Sequence, residues 1–107
     1  VTPSKRDANE AVLVEFWRSC GCVWIPMSRE AGFDGLLICP RTGMHIVEVK
    51  NPKNAKGLRS WQMTPNERKR QIEVEECRVP YSIIEDEAQA AELIGITVFG
   101  GKHKEAK

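Results

Sequence analysis

Residues 33–50, FDGLLICPRTGMHIVEVK, decide how this chain folds. Residues 36–39 and 46–49 are short apolar runs, and Pro40-Arg41-Thr42-Gly43 between them is turn chemistry, so the stretch predicts a β-hairpin. Asp34 opens the first strand, while Glu48 and Lys50 sit in the second, where ionised groups cost several kcal/mol unless they are paired or bound to a cation. Residues two apart on a strand share a face, so Glu48 and Lys50 point the same way. A turn centred on Arg41 pairs residues whose numbers sum to 82 and sets Asp34 opposite Glu48; one centred on Thr42 gives a sum of 84 and sets Asp34 opposite Lys50. Either register puts all three charges on one face. A two-residue turn would pair Asp34 with Val49 instead, so a three- or five-residue loop is expected, with Gly43 as its left-handed residue.

Two carboxylates and an ammonium converging at the end of a buried hairpin make a hard-cation site with a charge-stabilising group beside it. Oxygen donors without a soft ligand suit Mg²⁺ or Mn²⁺. Asp34, a turn and then Glu48-x-Lys50 resembles the PD-(D/E)XK nuclease superfamily, whose motif is an acidic residue followed by (D/E)-x-K on the next strand. Phe33 stands where that motif carries its Pro. The plainer alternative makes Glu48 and Lys50 exposed residues of an edge strand.

At 107 residues the chain suits one domain, expected over 1–99 with a disordered tail at 100–107. Roughly 60–65% of its unfolded-chain surface would be buried, enough for a core. Sixteen basic against fifteen acidic residues leave a net charge of +1, so any basic patch must arise by segregation. No apolar run approaches bilayer length and the N-terminus lacks a secretory core, which predicts a soluble protein with no membrane partner. Four cysteines, at 20, 22, 39 and 77, fit no zinc spacing and are expected reduced and mostly buried.

Residues 1–20 read as a helix that Thr2 or Ser4 caps, with Leu13, Phe16, Trp17 and Cys20 at helical spacing and Gly21 ending it. Glu10 lies at or near its inward face. By resemblance, Asp7-Ala8-Asn9-Glu10 matches the family's first-helix motif, whose Glu reaches the metal through water; the alternative is a solvated helix glutamate. Lys5 and Arg6, near the same end, are candidate phosphate contacts. Residues 22–27 read as an edge strand that Pro26 limits, and a loop containing Arg29, a further basic candidate, delivers the chain to Asp34. The loop after Lys50 lacks periodicity; Lys53, Lys56 and Arg59 on it would meet phosphates or merely solubilise a linker. Thr64-Pro65-Asn66-Glu67 is a capping box with Pro at the first helical position. The phrase also resembles the LTPxQ element of the VRR-NUC branch, small nucleases common in phages; Glu67 replaces the Gln and is explained by capping alone. A strand at 80–84, reached by a helix, is expected parallel to the preceding one. Asp86 caps a last helix, and 96–99 suit a fifth strand.

The order αβββαβα, an α/β class chain with a mixed sheet of four to five strands, is that of the three-layer α/β/α restriction-endonuclease-like core. The resemblance implies an Mg²⁺- or Mn²⁺-dependent DNA endonuclease of the cytoplasm of a bacterial or phage-infected cell, related to Holliday junction resolvases. Asp34, Glu48 and the Val49 carbonyl would hold the metal, and Lys50 would orient or activate water. His45, beside the turn, and His103, in the tail, are weaker bases. Cutting two strands symmetrically needs a two-fold homodimer, for which Trp24 and Trp61 are the apolar groups to hand; the alternative is that both are simply buried and the enzyme is a nicking monomer. The competing class is a catalytically inactive nucleic-acid-binding or inhibitor protein on the same fold.

Overall fold

A computed structural model describes residues 8–52, 56–59, 61–96, 98–99 and 102–103. Helix α1 (Ala8–Ser19) is followed by strand β1 (Val23–Pro26), a 3-10 turn (Arg29–Ala31), β2 (Gly35–Cys39), β3 (Gly43–Val49), α2 (Pro65–Glu76), β4 (Tyr81–Ile84), α3 (Glu87–Leu93) and two short strands, β5 (Val98–Phe99) and β6 (Lys102–His103). The class is mixed α/β. The expected caps Thr2 and Ser4 lie outside the described residues.

The hairpin resolves the open question of register. Gly35 pairs with Val47, Leu37 with His45 and Cys39 with Gly43, all summing to 82. Pro40-Arg41-Thr42 is thus a three-residue loop, closed by Gly43 at φ +89, a conformation that a side chain would strain. β1 joins β2 antiparallel and β4 joins β3 parallel, giving the strand order β1-β2-β3-β4 with β1 at an edge as expected. The main sheet has four strands, and β5 pairs with β6 in a separate two-stranded sheet.

Period-two alternation sorts the strands into two faces. Trp24, Leu37, Val47, Val49 and Ile84 point to one side and pack with Leu13, Val14 and Trp17 of α1 and with Ala90 and Ile94 from α3. Trp17 is fully buried, stacks on Trp24 at 5.6 Å and donates its indole N–H to the Ala90 carbonyl at 3.1 Å. Gly35 makes room for this: a Cβ there would fall closer than 3.0 Å to three atoms of the Trp24 ring. Trp24 is therefore a core residue, not the intersubunit anchor expected of it, because its strand directs it inward. Val23, Ile25, Ile38 and Met44 alternate to the other face and stay exposed. Cys22 and Cys39 are buried with sulfurs 3.1 Å apart, whereas Cys77 is exposed.

α1 and α3 contact each other, and α2 contacts β4 and the 3-10 turn. The capping box at α2 forms as expected: Thr64 accepts from the Glu67 N–H and Glu67 from the Thr64 N–H. Asp86 caps α3 by accepting from the Gln89 N–H. Among the described residues no helix is long and apolar enough to cross a membrane.

Candidate active site

Because Val47 and Val49 are drawn into the core, Glu48 between them faces the opposite side of the sheet at the end where β3 finishes. It is only 3% exposed. Continuing the register, Asp34 stands across from Glu48 rather than from Lys50. Its position is fixed twice, by its N–H donating to the Val47 carbonyl at 3.0 Å and by its Oδ2 accepting the Val49 N–H at 2.8 Å. Lys50 is the first residue beyond β3, and its N–H donates to the Ile84 carbonyl of the neighbouring strand at 3.0 Å. Its Nζ reaches Glu48 Oε2 at 3.3 Å and Glu67 Oε1 at 2.8 Å. Asn9 ties the start of α1 to this end of the sheet, donating to the carbonyls of Lys50 at 2.8 Å and Glu85 at 3.1 Å. Glu10, next to it, is buried.

These groups surround one hollow of about 670 Å³, lined by Glu10, Asp34, Glu48, Lys50, Trp61 and Glu67, with Arg29 at its rim. Five carboxylates, of Glu10, Glu30, Asp34, Glu48 and Glu67, line it against the Lys50 ammonium and the Arg29 guanidinium, and the titration of Glu48, Lys50 and Glu67 reflects it. Burial, then the charges of Asp34 and Glu67, push the Glu48 carboxyl up to about 9 against the relief Lys50 provides. Burial opposes ionisation of Glu67 as well, but its bonds to Lys50 and the Thr64 N–H hold it below the usual carboxylate range. Lys50 is held above its ordinary value, since Glu67 and Glu48 outweigh its own desolvation. The phenol of Tyr81 is raised by burial and by Glu48, and donates to the Gly32 carbonyl at 2.6 Å.

Such an excess of negative charge on all-oxygen donors suits a hard cation. Among the described residues no three His, Cys, Asp or Glu side chains converge as metal ligands. Asp34 and Glu48 are the two carboxylates that stand opposite one another, and one or two carboxylates with several waters is how Mg²⁺ is ordinarily held.

Asp34, Glu48, Lys50 and Glu10, singled out from sequence, thus come together at one hollow. The basic candidates are more scattered. Arg59 lies over the Trp61 ring at 4.4 Å, and Lys56 is exposed in the loop without lining the hollow. Lys5, Arg6 and Lys53 lie outside the described residues. His45 bonds to Thr42 at the turn end of β3, away from the carboxylates. Two participants were not legible as such. Glu67 does more than cap: the helix of a strand–helix–strand crossover begins where the preceding strand ends, which carries its third residue to Lys50. Trp61 lines the hollow and donates its indole N–H to Glu85 at 2.7 Å.

No protein-family model matches the chain, and no curated protein or solved structure matches it.

Proposed function

We propose that the chain is an Mg²⁺- or Mn²⁺-dependent endonuclease that hydrolyses DNA phosphodiester bonds, a PD-(D/E)XK nuclease of the VRR-NUC kind. The observation that carries this is the meeting of Asp34, Glu48 and Lys50 at the end of the β2–β3 hairpin, on the sheet face opposite the core. The three-layer α/β/α reading is supported in the same way: α1 and α3 supply the core on one face, while Glu67 of α2 meets Lys50 from the other.

Asp34, Glu48 and the Val49 carbonyl would hold the cation. The chemistry a divalent ion would supply there is polarisation of the phosphate and a lowered pKa for attacking water. Glu48 has to give up its proton to serve as a ligand, so the pair is charged only as the ion arrives. Lys50, flanked by two carboxylates, remains an ammonium; it donates hydrogen bonds, orienting water and offsetting charge on the phosphate, and does not take up the water's proton. Glu67 restrains that ammonium from the rigid first turn of α2. Glu10 lines the same hollow and would act through solvent. Arg29, Lys56 and Arg59, with Lys5, Arg6 and Lys53, would meet the DNA backbone.

Asp34→Ala and Glu48→Ala variants that keep the native circular dichroism should lose Mg²⁺- and Mn²⁺-dependent cleavage by ~10³-fold or more. Purified protein that cuts neither DNA nor RNA in either metal would overturn the assignment in favour of a nucleic-acid-binding or inhibitor protein. Light scattering with and without a four-way junction tests the two-fold dimer that paired cuts require; a monomer mass in both restricts the enzyme to nicking.

A further inference from the structure

Glu85 directly follows β4 with its side chain buried, and the chemistry above makes no use of it. A buried carboxylate needs compensation, and its partners are informative. Oε2 accepts the Trp61 indole N–H at 2.7 Å and lies 4.0 Å from Arg59 Nε. Oε1 accepts from Gln89 Nε2 at 3.2 Å, while the Glu85 N–H donates to Gln89 Oε1 at 2.6 Å. The indole is therefore clamped by one edge to a group that is itself held by α3.

What the clamp holds in place is an aromatic wall between two hollows. Trp61 lines the carboxylate site and also a second hollow of about 610 Å³, whose other walls include Arg59, Gln62, Arg68 and Gln89. That second hollow carries the Arg59 and Arg68 guanidinium groups and the Gln62 amide, groups that meet phosphate oxygens and base edges, while its Glu85 carboxylate is taken up by Trp61, Arg59 and Gln89. The Arg59 guanidinium lies 4.4 Å and the Lys50 ammonium 5.6 Å from the ring centroid, so cations already gather on the indole. A π-surface with arginine against it is how proteins hold unpaired bases irrespective of sequence. Paired bases are already stacked and cost a few kcal/mol to extract, so a fixed platform beside a cleavage site discriminates by strand structure.

We propose that Trp61 and Arg59 form a stacking subsite for an unpaired nucleobase next to the scissile phosphate, directing cleavage to DNA with single-stranded character at the cut. This rests on the nuclease assignment for the neighbouring carboxylates. Binding and cutting separate the two. Of the three tryptophans, Trp17 and Trp24 are buried, so a change of indole emission on binding reports Trp61. With Ca²⁺ in place of Mg²⁺, an oligothymidylate should quench emission and bind about tenfold tighter than an abasic strand of equal length. Read by the anisotropy of a dye-labelled strand, which needs no indole, Trp61→Phe should keep that preference and Trp61→Ala should abolish it. In Mg²⁺, the wild type should cut gapped or flapped DNA about tenfold better in kcat/KM than the fully paired sequence, and Trp61→Ala should erase the difference. Equal affinity for thymidylate and abasic strands, with duplex still cut in Mg²⁺, overturns the stacking subsite and leaves the nuclease standing. Absence of both binding and cleavage overturns both.

Discussion

At Glu48 the balance of burial against partners has a measurable consequence. Its carboxyl sits at about 9 in the folded chain against an ordinary 4.5. Below the lower value folded and unfolded chains are both protonated and the group adds no slope. Between the two, the folded chain holds a proton that the unfolded one has lost, so stability falls as pH rises, by at most ~1.4 kcal/mol per unit. Above about 9 the folded carboxyl ionises too and the slope ends. Urea midpoints of metal-free protein in chelator should therefore drop between pH 6 and 8.5, and Glu48→Gln should remove most of the drop. Lys50 carries a second prediction. Its Nζ fits between Glu48 at 3.3 Å and Glu67 at 2.8 Å, a space for a point charge and not for a planar fork. Lys50→Arg should keep DNA affinity within about twofold and lower turnover roughly 10²-fold. Near-normal cleavage by that variant would make Lys50 a phosphate contact outside the chemistry. That Glu48 and Lys50 share a side was legible in the sequence, because strand parity is a property of the backbone. The contact with Glu67 was not, since it joins residues 17 apart through the path of the crossover.

The three helices end alike. In α1 the Gly21 and Cys22 N–H groups donate back to Arg18 and Trp17, and in α3 those of Gly95 and Ile96 donate to Glu92 and Ala91. In α2 the same pair of bonds runs from Arg78 and Val79 to Glu75 and Val74. Glycine holds the left-handed position in the first two, but in α2 it is Arg78, at φ +66. A side chain in that conformation costs about 1 kcal/mol or slightly more. Arg78→Gly should accordingly raise stability by ~1 kcal/mol and the melting temperature by about 4 °C. Cleavage should be unchanged, because Arg78 is at the end of α2 remote from Glu67. A lower melting temperature would mean that the exposed guanidinium has a stabilising partner worth more than the strain. The start of α2 was readable from Thr64-Pro65-Asn66-Glu67 since caps are local, and its end near Arg78 was legible too, whereas the left-handed conformation of that arginine was not.

Across the whole molecule, a net charge of +1 and a site rich in carboxylates leave little general attraction for DNA. On the proposed nuclease function, affinity would then depend on a few basic side chains and on a cation that offsets Asp34 and Glu48. Fluorescence anisotropy in chelator should show weak binding whose logarithm falls with log salt at a slope of about −2 to −5, as for two to six phosphate contacts. Ca²⁺ should strengthen it about tenfold without cleavage, and Asp34→Ala should remove that response. Equal affinity with and without Ca²⁺ would argue against a cation between the carboxylates and the phosphate.

What the sequence by itself determined were features set within a few bonds or by strand parity. They are the hairpin with its three- or five-residue loop, the left-handed Gly43, the cap at Thr64 and the common side of Glu48 and Lys50. The strand and helix order of the main fold was equally legible, because apolar periodicity and the turn residues between elements are written along the chain. Tertiary structure alone decided the register sum of 82, which sets Asp34 against Glu48. It also took Trp24 into the core over Gly35 and fastened Trp61 to Glu85, 24 residues away. Those outcomes depend on which distant surfaces meet and on the space each leaves for the other, and a side chain's own neighbours in sequence carry no record of either.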